Sequence, residues 1–204
     1  MVDPYEKCPV YENKNYLFRL VETSDASDLL AVYSDERAMP FFNSDNCNGD
    51  DFHYTTLERM QKAIDFWLRA YRDRGFVRWA VVDRNTGHAV GTIELFNRTG
   101  KITDYFYDCG LLRLDLRSDY EREERIQEIL SLIVPPAFAL FGCRMLATKI
   151  PPFAAERRKA AEQAGFAESK ETLIGGDDGK IYTDYYVLLK FSERMPTCDP
   201  ASCR

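Results

Sequence analysis

Stretches of strand composition and stretches of helical period alternate along this chain, and their order limits the folds open to it. The clearest helical segment follows Thr55 and Glu58, spaced as a capping box in which hydroxyl and carboxylate each satisfy a free backbone N–H. Leu57, Met60, Ala63, Ile64, Trp67, Leu68 and Tyr71 then recur at helical spacing, and Gly75 closes the run. Phe76–Val82 and His88–Phe96 are β-rich, joined by Asp83-Arg84-Asn85-Thr86-Gly87, a hairpin turn by composition. Ahead of them, Tyr16–Val21 reads as a strand, and Thr23-Ser24-Asp25 caps a short helix bearing Ala26, Leu29, Leu30, Ala31 and Tyr33. Residues 39–54 form the longest clear loop, mixing aromatics with turn formers. Beyond the hairpin, Asp104–Leu116 holds one or two strands. Ser118 and Glu121 make a second capping box, opening a helix faced by Ile126, Ile129, Leu130 and Ile133. Pro135-Pro136 predicts that this helix bends or stops, with a short second segment over Ala137–Phe141. Met145–Ile150 reads as a strand, Phe153–Ala164 as a helix stopped by Gly165, and Phe166–Ile174 and Tyr182–Phe191 as strands.

That order implies one α/β domain, a mixed sheet of six or seven strands with helices on both faces. The expected boundaries are an arm over 1–13, the domain over 14–192 and a tail over 193–204. A hydrophobic content of 45% with 29% charged residues suits a soluble globular chain. The net charge of −6 argues against nucleic acid as partner, since phosphate binding needs a basic footprint. No apolar run approaches the roughly 20 residues that cross a bilayer, so no membrane role is expected. With no basic-then-apolar start, the expected location is cytoplasmic. The six cysteines contain no CxxC pair and read as thiols. Cys198 and Cys203 lie in a proline-containing tail with no nearby histidine, and no metal site is expected.

Several pieces then fall in a familiar order. They are Phe18-Arg19-Leu20-Val21 with Asp25–Leu30, Tyr33-Ser34-Asp35-Glu36, Trp79-Ala80-Val81-Val82, Ala89-Val90-Gly91-Thr92-Ile93, and Asp108-Cys109-Gly110-Leu111. Ala164-Gly165-Phe166 and Asp184–Leu189 complete the set. Together they resemble the GNAT superfamily of acyl-CoA-dependent N-acetyltransferases, in particular the branch that modifies ribosomal-protein N-termini and small amines. The resemblance implies transfer of an acetyl group from acetyl-CoA to an amine of a small molecule or peptide. It also implies a cleft where the fourth and fifth strands of the family splay apart, with the pyrophosphate on the following helix start. A homodimer is left open, because outer strands of mixed sheets often pair between subunits.

The family's glycine-rich phosphate loop is replaced here by Arg117-Ser118-Asp119-Tyr120-Glu121-Arg122-Glu123-Glu124-Arg125, which holds no glycine. Its acids suit a helix start and would repel a pyrophosphate there. Two readings follow: a capped surface helix start, or a site in which Arg117, Arg122 and Arg125 act as side-chain phosphate clamps beside Leu114 and Leu116. Ala154 and Ala161 stand where many members carry the cofactor-holding asparagine and the thiolate-protonating tyrosine. Arg157, Arg158 and Lys159 could reach an anion or form a solvated face. The acceptor amine must lose a proton, and Asp108 and Glu94 are the candidate bases, each equally readable as an ion-pair member. Phe41, Phe42 and His53, with Phe52 and Tyr54, could line an acceptor pocket or pin the loop to the core. The alternative function is a non-catalytic binding module of the same fold that has lost normal acetyl-CoA binding.

Overall fold

The computed structural model describes residues 3–190, so the Cys198/Cys203 tail and Phe191 lie outside the described residues. Strands β1 (Tyr11–Glu12) and β2 (Tyr16–Leu20) lead into α1 (Ala26–Tyr33) and α2 (Leu57–Arg72). Three longer strands follow: β3 (Val77–Asp83), β4 (Ala89–Arg98) and β5 (Cys109–Leu116). Then come α3 (Glu123–Phe141), β6 (Met145–Lys149), α4 (Ala155–Gln163), β7 (Ala167–Glu168), β8 (Leu173–Ile174), β9 (Ile181–Tyr182) and β10 (Tyr185–Leu189). The main sheet runs β1-β2-β3-β4-β5-β6-β10-β7, six strands of five residues or more with a two-residue strand at each edge. Only the β5–β6 neighbours are parallel, as an α3 crossover requires, so the sheet is mixed as expected. β8 and β9 form a separate hairpin.

Strand alternation sends side chains to two covered faces. Trp79, Val81, Ile93, Leu112, Leu114 and Leu116 meet Ile126, Ile129, Ile133 and Ala137 of α3 on one face. On the other, Leu29, Val32 and Tyr33 of α1 and Met60, Ile64 and Trp67 of α2 pack on Ala80, Val82 and Ala89. A third cluster on this second face joins Cys109 and Leu111 to Met145, Ala147 and Tyr185.

Several sequence expectations shift. Thr56, not Thr55, caps α2, accepting the Arg59 N–H at 3.2 Å. The Ser118/Glu121 box does not form: Ser118–Tyr120 makes a 3-10 turn, and α3 begins at Glu123 with no side-chain cap at Arg122. Two residues of the arm join the sheet, for β1 pairs with β2, and the Trp79 indole donates to the Pro9 carbonyl at 2.8 Å. Residues 104–108 are turn, so β5 is one strand.

The Pro135-Pro136 expectation of a stop and a second segment is not met, since α3 runs unbroken from Glu123 to Phe141. The prolines free the carbonyls of Ser131 and Leu132, four residues back. Pro135 and Ser131 are on the exposed side, where water can satisfy the lost bond, while Ile133, Val134 and Ala137 hold the inner face to the sheet. Packing keeps the helix whole despite the prolines. Pro135→Ala should therefore raise stability by about 1–3 kcal/mol, read as a higher urea midpoint with unchanged slope. An unchanged or lower midpoint would count against this account.

Candidate active site

β5 stays paired with β4 along its whole length, Arg98↔Cys109 through Gly91↔Leu116. Its pairing with β6 covers only Cys109↔Met145, Gly110↔Leu146 and Leu111↔Ala147. From Leu112 onward the two strands part, which is the splay that the family resemblance implies. Gly91 permits the tight β4–β5 approach at the far end, for a Cβ there would press on the Asp115 carbonyl and stand 2.6 Å from Leu116 Cδ2.

On the α1/α2 face, β3, β4 and β5 bring Arg78, Glu94 and Arg113 into one cross-strand row. Ala80, Thr92 and Asp115 form the next row. Glu94 pairs with Arg78 through one oxygen and with Arg113 through the other, the latter at 2.7 Å. Asp115 accepts the Tyr33 hydroxyl at 2.8 Å and approaches Arg78 at 3.3 Å. Burial alone would lift the Glu94 carboxyl, but the two guanidiniums outweigh it and hold it below the usual range. Burial wins at Asp115, whose carboxyl is pushed up although Arg78 and Tyr33 partly offset the effect. The Arg78 guanidinium also lies 4.2 Å from the centre of a Trp67 ring.

This row forms part of the wall of a cavity of about 920 Å³. Phe52, Tyr54, Phe66, Trp67, Phe76 and Phe96 give it aromatic walls. Asp50, Asp51, His53, Arg59 and Asp177 add polar groups. Asp177 arrives from the β8–β9 hairpin, tied to the loop through Asn46 at 3.1 Å. Arg113 is two positions past Leu111, the last β5 residue paired with β6, so the cavity lies beside the mouth of the splay. A further buried group is Asp45, which binds Lys149 at 2.7 Å, the Tyr185 hydroxyl at 3.2 Å and, through its carbonyl, Arg113 at 2.8 Å.

The proposed site residues separate. Glu94 and His53 line the cavity, together with Phe52 and Tyr54. Phe42 is buried against Tyr33, ring centres 5.2 Å apart, and Phe41 turns to Phe153 at 5.4 Å. Asp108 stands just before β5, at the end away from the splay, accepting from Asn97 at 2.8 Å with φ of 52°. Leu114 and Leu116 are buried in the core on the α3 face. Arg117 is engaged by Asp119 at 2.6 Å, and Arg125 lies 4.2 Å over the Tyr120 ring and donates to the Asp119 carbonyl. Arg122 is exposed at the start of α3.

Arg157, readable in sequence as part of a solvated face, is 4% exposed. It pairs with Glu121 and donates to the carbonyls of Leu114 at 2.8 Å and Phe41 at 3.0 Å. Its neighbour Glu156 accepts the Glu123 N–H at 3.1 Å. For an acetyl-CoA molecule to bind here, these side chains would have to release the Glu123 N–H and the Leu114 carbonyl that they hold. Sequence reading missed Arg78, Arg113, Asp45 and Glu156, whose partners Glu94, Lys149 and Glu123 lie from 16 to 104 residues away along the chain.

A layered α/β fold with a splayed parallel pair defines a class, and the comparisons identify it. The family model described as "Acetyltransferase (GNAT) domain" matches residues 15–167, about three quarters of the chain. The chain belongs to the GNAT acetyltransferase family, whose activity is transfer of an acetyl group to an amine, in general from acetyl-CoA. A GNAT-family acetyltransferase from Bacillus anthracis is similar in fold, with TM-score 0.64, 14% identity, and coverage of 89% of this chain and 98% of that one. A ribosomal-protein-S5-alanine acetyltransferase from Vibrio fischeri has TM-score 0.63 and 17% identity, covering 93% of this chain and 100% of that one. A GCN5-related N-acetyltransferase from Brucella melitensis has TM-score 0.61 and 15% identity, covering 89% and 78%. The sequence matches no curated protein. Family membership does not favour the alternative of a binding module without acetyl transfer. Among the described residues, no helix is long and apolar enough to cross a membrane.

Arg78→Met should cost about 3–5 kcal/mol, because it leaves Glu94 and Asp115 buried beside a missing guanidinium. Adding Glu94→Gln should recover part of that loss. Equal unfolding midpoints for all three proteins in denaturant would show that the row is not a coupled unit.

Proposed function

We propose that the protein acetylates a primary amine carried on an apolar or aromatic body, bound in the cavity between α2, the 46–54 loop and β3–β5. The observation that supports this most is the aromatic wall with acidic groups beside the splay. At about 920 Å³ the cavity is at the upper end of small-molecule sites, with room for several rings or the first residues of a peptide. Asp51 and Asp177 draw an ammonium group in, Asp50 being paired with Arg59 at 2.6 Å, and the rings remove its apolar body from water.

An ammonium must lose a proton before its nitrogen can attack. Glu94 is suited less to taking that proton than to holding Arg78 and Arg113 in place, because each of its oxygens already serves a guanidinium. Asp108 is remote from the cavity lining. His53 lines the cavity, and an imidazole is the side chain suited to carry a proton off near neutral pH. His53 is accordingly the proton carrier in this reading.

Turnover is read as thiol release from acetyl-CoA over a panel of aralkyl amines and short peptides. Phe66 is 56% exposed yet lines the cavity, so Phe66→Ala should leave the fold intact. It should raise KM for an apolar amine about tenfold with little change in kcat. His53→Gln should lower kcat about a hundredfold with KM held. Thiol release indifferent to both changes would place the acceptor elsewhere, and no release with any amine would overturn the assignment.

A further inference from the structure

Two adjacent side chains in the first turn of α4 reach backbone groups on other elements. Glu156 accepts the N–H of Glu123, the first residue of the 19-residue α3. Arg157 donates to the Leu114 carbonyl, beyond the last β5–β6 pair. The Arg117 N–H bonds to the Val90 carbonyl on β4, so on β5 the alternate residues, Leu114 among them, face the gap toward β6. Glu121 closes on the Arg157 guanidinium, with 5% and 6% of the two side chains exposed. Farther along α4, Lys159 approaches the Glu123 carboxylate at 3.5 Å and Gln163 donates to it at 2.7 Å.

Each held group has a general ligand chemistry. A long helix start offers its N–H groups and dipole to an anion such as a phosphate. A strand-edge carbonyl facing an open gap accepts an amide N–H, as a neighbouring strand would supply. A CoA-type donor carries both: a pyrophosphate, and an amide-bearing arm. In this chain a carboxylate takes the place of the phosphate and a guanidinium N–H takes the place of the amide. The Glu156 charge would also sit within reach of any phosphate that approached the Glu123 N–H.

We propose that the first turn of α4 is an internal latch on the donor cleft, with Glu156 and Arg157 holding the helix start and strand edge that an acetyl-CoA donor needs. The donor enters when this turn lets go, and its apparent affinity falls by the fraction of molecules that are open. The inference rests on the reading of this cleft as the CoA site. The two contacts differ in kind. Glu156 is half-buried and makes one charge-assisted bond to the backbone, whereas Arg157 is buried with Glu121 and is released only with that pair.

Calorimetric titration with CoA itself reads binding without turnover. Glu156→Gln keeps the side-chain shape and removes the charge, so it should bind CoA about tenfold more tightly than the unmodified protein. Glu121→Gln with Arg157→Met removes the buried pair as a unit and should tighten binding as well. If that double variant fails to fold, Glu156→Gln decides alone. A dissociation constant equal to or weaker than the unmodified value in Glu156→Gln overturns the latch and leaves the CoA site standing. No heat from any protein at millimolar CoA overturns the CoA reading, and the latch with it.

Discussion

β5 and β6 are held together for three residues and then separate, while β5 remains paired to β4 to its end. A buried strand edge cannot be left without partners, because an unpaired backbone group away from water costs as much as a lost hydrogen bond. Everything around the cleft answers that constraint. Leu114 and Leu116 turn their side chains into the α3 face, and the Leu114 carbonyl receives Arg157. Arg157 then needs a counter-charge in a site closed to water, and Glu121 supplies it. Glu121 is thereby drawn away from capping α3, and Glu156 accepts the Glu123 N–H there. One parting of strands thus accounts for the arrangement of the 117–123 segment and the first turn of α4.

The opposite face of the same strands carries a different solution. Two apolar clusters flank the Arg78–Glu94–Arg113 and Thr92–Asp115 rows. Charges in such a position require partners on every side. Arg78 receives Glu94, Asp115, the Tyr33 hydroxyl and the Trp67 ring. Because both guanidiniums lean on Glu94, that carboxyl stays ionised while Asp115, less fully compensated, is pushed toward its neutral form. The row forms a rigid polar wall beneath the aromatic sides of the cavity, next to where the strands part. Along β5, Leu114 turns its side chain into the α3-side core and its carbonyl toward the gap with β6, while Arg113 turns to the cavity on the opposite face.

Periodicity and composition along the chain determined the mixed α/β layers, the order of the long strands and the two helices before the hairpin. Those features follow from neighbours in sequence, through side-chain spacing and turn chemistry, so they could be read without coordinates. The absence of a glycine loop after β5 was legible as well. Tertiary structure alone decided that Phe41 and Phe42 lie outside the cavity lining, that Glu94 is clasped by two arginines and that α3 continues through two prolines. It also decided that Arg157 goes inward although its helix reads as a basic surface. For the two charged residues the deciding partners are not sequence neighbours: Arg157 meets Leu114 and Phe41, and Glu94 meets Arg78 and Arg113. A charged residue carries the same local signal whether it faces water or a buried counter-charge. Only the packing of the sheet and helices fixes which of the two it meets.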